Sequence, residues 1–145
     1  MKFLGPDGMD SAEVINIAGE AAIGTYYTSV AADISNTETG AKFATKYKET
    51  YSKNPEAFSA DGYDAMNVTL DAVAAAIKAN NGALPTREQV ATAVRETKGF
   101  VGVATKVTLN DIGDNTEASV YILGFSKAAY PPDVISSIPV SEYLK

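Results

Sequence analysis

The sequence predicts an α/β fold, with parallel strand–helix–strand units near its start, a long helix in its middle and a β-hairpin towards its end. Three observations carry that expectation. Phe3-Leu4-Gly5-Pro6-Asp7-Gly8 is a short apolar run closed by turn residues, and a helix start and a second strand-like run follow it. Over residues 59–80 apolar side chains recur at steps of three and four, the period of a helix face. From Phe100 the period drops to two. At 145 residues the chain has the length of one domain and can bury a core.

The elements follow in order. Residues 2–5 read as a short buried strand, and Gly5-Pro6-Asp7-Gly8 as a turn, because proline presets φ and glycine tolerates positive φ. Asp10 with Glu13 three positions on fits a capping-box-like start for a helix over 11–18, with Val14, Ile15 and Ala18 inward. Thr25 to Val30 has strand composition, and 31–36 is a polar connection. A helix over 38–52 aligns Phe43, Tyr47 and Tyr51 on one stripe, which core packing explains more simply than stacking on a ligand. Asn54-Pro55 breaks the chain before the long helix, whose inward face is predicted as Tyr63, Met66, Leu70, Val73 and Ile77. Its alanines at 72 and 74–76 permit close approach of another element.

Asn80-Asn81-Gly82 ends that helix. Thr86 and Gln89 form the capping box of the next, which stops at Lys98-Gly99. Strands over 100–109 and 118–123, joined by the turn at 110–115, are expected to pair as a hairpin. The tail from Ser126, with Pro131-Pro132 and Pro139, reads as irregular chain with a short turn near Ile135.

Composition removes several functions. The chain has no cysteine and no histidine. Disulfides, thiolate metal sites, cysteine nucleophiles, Ser-His-Asp chemistry and histidine-based zinc sites are therefore excluded within it. A net charge of −6 without a Lys/Arg cluster argues against nucleic acid, whose affinity comes from neutralised phosphates. Asp111, Asp114 and Asn115 surround Gly113, but the glycine is misplaced for a calcium loop and the closing glutamate is missing, so a turn is the simpler reading. No glycine-rich phosphate loop is present, no two acids suggest a catalytic pair, and no cofactor is implied. The Asn67-Val68-Thr69 triplet lies inside the long helix, where glycosylation is disfavoured.

Two places remain for ligand chemistry. Asp7 sits at the carboxyl end of the first strand, where open α/β sheets bind ligands. Asp61 and Asp64 in the first turn of the long helix suit the positive end of the helix dipole, and Tyr63 with Asp64 also fits a cleft edge.

Three stretches together carry a family resemblance: Phe3 to Gly8, Asn16 to Thr28 (Asn-Ile-Ala-Gly-Glu-Ala-Ala-Ile-Gly-Thr-Tyr-Tyr-Thr) and Phe58 to Ala65. In their order and spacing the chain resembles the type I periplasmic solute-binding receptors of branched-chain amino-acid ABC transporters, the leucine/isoleucine/valine-binding family. The segment from Phe100 to Phe125 is similar to that family's closing hairpin. The resemblance implies two α/β lobes joined by crossovers, with a ligand in the cleft between them and closure by hinge motion. It implies a receptor and not an enzyme, periplasmic or otherwise extracytoplasmic, that takes an amino-acid-like solute and docks on ABC-transporter membrane subunits.

It also implies that Asp7 anchors the ligand ammonium with Gly8 beside it, a charge-assisted contact, and more weakly that Tyr63 and Asp64 approach the ligand. Asp7 stands where some members carry the longer glutamate. Family members are longer, and by resemblance this chain corresponds to their C-terminal portion. Residues 1–36 then belong to the second lobe, 37–100 form a helical portion packing on the first lobe, and 101–145 form the closing hairpin and tail. Such a portion leaves apolar faces uncovered, so it is expected to form a homo-oligomer or to require a complementary fragment.

Overall fold

Strand β1 is short, Leu4–Gly5, and it pairs in parallel with β2, Tyr26–Ser29. In this computed structural model, which describes residues 3–31 and 33–143, helix α1 (Glu13–Ala18) and two 3-10 turns, Asp7–Met9 and Gly19–Ala22, connect the two strands. Lys2, the first residue of the expected strand, and Ala32 of the polar connection lie outside the described residues. The sheet is completed by β5 (Ser119–Gly124) and β6 (Asp133–Pro139), in the order β1-β2-β5-β6. Both β2–β5 and β5–β6 are antiparallel, so the sheet is mixed and its parallel character is confined to the first pair.

The core forms where these strands meet α1. Ala22, Tyr27, Leu123 and Phe125 are buried together, and Met9, Val14 and Ile15 pack against them. Tyr27 and Leu123 are direct partners across β2 and β5, and the Tyr27 and Phe125 rings lie 5.9 Å apart in a tilted contact. Val14 and Ile15 thus face inward as their spacing predicts, whereas Ala18, expected inward with them, is exposed at the helix end.

The remaining elements form a helical group. Helix α2 (Glu38–Tyr51) starts on Thr37, whose hydroxyl accepts the Gly40 amide, and ends at Ser52 in the left-handed region. Helix α3 runs over Ser59–Ala79 and packs on α4, Arg87–Arg95. The predicted capping box is formed in full at α4. The Thr86 hydroxyl accepts the Gln89 amide, and the Gln89 side chain accepts the Thr86 amide at 2.8 Å. A small hairpin, β3 (Phe100–Val101) with β4 (Lys106–Val107), follows. Among the described residues no helix is long and apolar enough to cross a membrane.

Four expectations need correction. The first is the hairpin. The turn at 110–115 forms, with Asn110 accepting the Ile112 and Asp114 amides and a single bridge joining Leu109 to Asn115. The strands on either side then part company, because β4 turns back on β3 while β5 enters the other sheet. The closing hairpin is β5–β6, so the tail read as irregular supplies a seven-residue strand. That strand is an edge, mostly exposed, and its prolines occupy the flank and the last position, which an edge tolerates.

The second correction concerns Asp10, which does not cap α1. The helix begins at Glu13, whose amide bonds to the Ser11 hydroxyl, and the Asp10 carboxylate turns inward instead.

The third is the face of α3. Its buried positions are Ala60, Asp64, Val68, Ala72 and Ala76, a ridge at steps of four. Tyr63, Met66 and Leu70 are 51%, 59% and 56% exposed, and Val73 and Ile77 are half-buried. The alanine ridge wins because small side chains let neighbouring backbone approach closely.

The fourth is the aromatic stripe on α2. Tyr51 is exposed while Phe43 and Tyr47 are half-buried. The rings meet in series, Tyr51 on Tyr47, Tyr47 on Phe43 and Phe43 on Tyr63, in tilted contacts instead of filling a core.

A candidate ligand site at the end of strand β1

Gly5 ends β1 and is buried under Met9, whose side chain occupies the space a Cβ at Gly5 would need. A larger residue there would push the following turn outward. Pro6 then directs the chain into a 3-10 turn, in which the Met9 amide bonds to the Pro6 carbonyl at 3.1 Å and the Asp10 amide to the Asp7 carbonyl at 2.9 Å. Asp7 is the first residue of that turn and is exposed. Among the described residues no hydrogen bond or ion pair engages its carboxylate. Gly8 is also exposed, with open space where its side chain would be. The two form an uncompensated acid beside an open backbone, at the carboxyl end of a strand whose parallel neighbour is β2. Chemically this is an acceptor for a cationic group.

The other two expected site residues are placed differently. Tyr63 presents its ring to Phe43 at 5.3 Å, and its carbonyl accepts the Asn67 side-chain Nδ2 at 2.9 Å. Asp64 is buried, and both its oxygens are occupied, Oδ1 by the Val103 amide at 2.8 Å and Oδ2 by the Ala104 amide at 2.7 Å. This carboxylate closes the turn between β3 and β4. Gly102 permits it, since a Cβ at that position would overlap the Asp64 carboxylate.

A cleft of about 650 Å³ opens between the sheet and the helical group. Asp10, Asp33, Glu56 and Asp61 contribute acid to its walls, and Phe58, Tyr121 and Leu123 contribute apolar surface. Asp7, Gly8, Tyr63 and Asp64 do not line it. Burial raises the Asp61 carboxyl above its ordinary value, against a lowering backbone hydrogen bond, and the nearby Asp64 charge adds to the rise. Among the described residues no group of three or more acidic side chains is placed to hold a metal ion.

The side chain that the sequence reading missed is Asp10. Its Oδ1 accepts the Tyr27 hydroxyl at 2.9 Å and the Tyr130 hydroxyl at 3.0 Å, and its Oδ2 accepts the Ser29 hydroxyl at 2.9 Å. Ser29 in turn accepts the Ala31 amide at 3.1 Å. Burial, followed by the Asp10 hydrogen bond and charge, pushes the Tyr27 phenol far above its usual range. Burial also raises Tyr130, with the Asp10 charge next in weight. Both phenols therefore stay protonated as donors. One sequence signal pointed here: Tyr27 and Ser29 lie two apart on a buried strand, so both hydroxyls face the same way and need a partner.

The sequence matches the family model described as periplasmic binding protein over residues 1–128. No curated protein sequence matches it significantly. Among solved structures, a leucine-binding protein of Thermotoga maritima is 31% identical with a TM-score of 0.74, covering 97% of this chain and 38% of its own. A periplasmic binding protein type 1 of Bordetella pertussis is 24% identical with a TM-score of 0.65, over 92% of this chain and 38% of its own. A solute-binding protein of an ABC transporter from R. palustris, solved in complex with benzoate, is 18% identical with a TM-score of 0.61, over 87% and 33%. The chain thus spans less than two fifths of the length of each of these.

Proposed function

The chain belongs to the periplasmic binding protein family, and from that premise we propose that it serves the solute-binding component of an ABC transporter for branched-chain or related amino acids. It acts outside the cytoplasmic membrane, performs no chemistry on its solute and delivers it to the transporter's membrane subunits. The observation that carries this reading is the exposed, unpaired Asp7 carboxylate at the end of β1, on the Gly-Pro-Asp-Gly turn inside the family match. An α-ammonium group fits it, and the open backbone at Gly8 leaves room for the α-carbon to approach. Tyr63 and Asp64 fit a supporting role better than a contact role, because one is stacked on Phe43 and the other is saturated by backbone amides.

Leucine is the solute named for the Thermotoga maritima relative and benzoate for the R. palustris protein. The two together favour a small carboxylate-bearing solute, and the acid at Asp7 favours an amino acid among these. Residues 37–100 would pack on further receptor chain, with the solute held between two lobes. With Asp7 but no opposing wall, this chain by itself should hold leucine weakly, in roughly the millimolar range. NMR titration of L-leucine into the chain and into Asp7→Ala tests it. Shifts centred on Asp7 and Gly8 that vanish in the variant support the reading, and micromolar binding that survives the substitution overturns it.

A second reading is favoured by a different observation, the exposed apolar face of Tyr51, Tyr63, Met66 and Leu70. On this reading the chain is a non-enzymatic α/β module that associates with itself through that face and has no ligand of its own. Light scattering on wild type and Asp7→Ala, with and without leucine, separates the two. Assembly that neither leucine nor the variant alters, in a chain without leucine-dependent shifts, favours the module.

A further inference from the structure

The Asp10 carboxylate gathers hydroxyl groups from distant parts of the chain. Three hydroxyls converge on it, from Tyr27 and Ser29 on β2 and from Tyr130 on the connection between β5 and β6. Their separations from it along the chain are 17, 19 and 120 residues. Tyr27 and Ser29 are fully buried, so their hydroxyls have no water to turn to if the acid is removed. The same residue carries the amide that closes the 3-10 turn on the Asp7 carbonyl at 2.9 Å. The side chain of Asp10 is thus tied to the sheet, while its backbone is tied to the exposed acid three residues earlier.

We infer that Asp10 is a positioning residue for the Asp7 turn, fixing it to β2 and to the β5–β6 connection through the hydroxyls of Tyr27, Ser29 and Tyr130. This rests on the reading of Asp7 as a solute contact. A short 3-10 turn has few hydrogen bonds of its own and would otherwise sample several positions. Three charge-assisted bonds, two to residues of β2 and one to Tyr130 on the β5–β6 connection, hold it in one. Because Tyr130 belongs to the closing hairpin, the connection that carries it and the Asp7 turn can only move together while the knot is intact. Asp10 and Tyr130 also line the cleft between sheet and helices, so the knot sits where a change in that cleft would be felt.

The test is amide hydrogen exchange by NMR on the full chain, in wild type, Asp10→Ala, Asp10→Asn and Tyr130→Phe. Asp10→Ala should speed exchange at the Met9 and Asp10 amides by roughly tenfold while the α3 and α4 amides keep their wild-type rates. Asp10→Asn keeps an oxygen for the two phenols and should recover most of the protection, and Tyr130→Phe should give a partial loss. A uniform acceleration through β2, α1 and α3, or unchanged exchange at Met9 and Asp10, overturns the inference. Should Asp10→Ala fail to fold, Asp10→Asn and Tyr130→Phe decide it by the same pattern.

L-leucine titration supplies a separate arm. If leucine shifts Asp7 and Gly8 in wild type, the response should fall at least severalfold in Tyr130→Phe, and an equal response overturns the inference. If wild type shows no response to leucine while the exchange pattern appears, the solute reading fails and the positioning of the turn is supported.

Discussion

At Asp64 a carboxylate that looks like a ligand group holds the protein together. It is buried, it accepts two backbone amides, and the turn it closes contains a glycine with no room for a side chain. Replacing it with alanine strands the Val103 and Ala104 amides, and the expected loss is about 3 kcal/mol, read as a lower urea midpoint. A loss within experimental error would show that the turn holds without it. Asp61, one turn earlier, predicts a pH effect. The folded chain holds this proton more tightly than the unfolded chain does, because burial disfavours the carboxylate. It therefore binds more protons in the window between the two pKa values, and its contribution to stability falls as pH rises through that window. In Asp61→Asn that component should disappear from a plot of melting temperature against pH, and an unaltered slope would count against the assignment. Asp7 was legible as a strand-end acid from the sequence, whereas Asp10 was not. A residue paired with Tyr130, 120 positions away, has no local pattern to reveal it.

At the scale of elements, local chemistry and observed structure agree where no distant group competes for the same side chain, as one does for Asp10. The α4 capping box is such a case. Thr86→Ala removes one of its two bonds and should cost about 1 kcal/mol, seen as early fraying of α4 in amide exchange. A variant with unchanged α4 exchange would mean that packing on α3 alone fixes the helix start. The turn at 110–115 also formed as its residues predict, since asparagine and glycine supply the required backbone. Strand partnership is another matter. Residues 106–107 and 119–124 both have strand composition, and nothing in their spacing says that one pairs with Phe100–Val101 and the other with Tyr26–Ser29. The long helix shows the same limit. Two ridges run along α3, one bulky and one small, and periodicity favoured the bulky one, whereas the buried ridge is the small one.

Across the whole molecule, that exposed bulky ridge becomes the main liability. Met66, Leu70 and Tyr63, with Tyr51 on α2, form apolar surface of the kind that soluble chains cover. In the longer relatives additional chain is available for that. On its own the chain is expected to self-associate with rising concentration, and Met66→Lys with Leu70→Glu should return it to a monomer in sedimentation without changing its circular dichroism. A wild-type chain that stays monomeric at high concentration would remove both the self-association and the argument that this ridge is an interface. The two halves of the molecule also differ in how they are held. The sheet is built from long-range pairings around Tyr27, Leu123 and Phe125, and the helical group from neighbours in sequence with Asp64 as its clamp to β3–β4. Unfolding probed separately at Tyr27 and at α4 tests whether they melt as one unit.

The sequence by itself determined the α/β class, the capping box that starts α4, the turn that presents Asp7, and the family, because each of these depends on residues close together along the chain. Only the tertiary structure decided which strands pair, which ridge of α3 is buried, that the tail forms β6, and that Asp10 and not Asp7 is the acid tied to the sheet. Those outcomes depend on which distant groups compete for the same space and the same hydrogen-bond donors, and that competition is resolved only when the chain is folded.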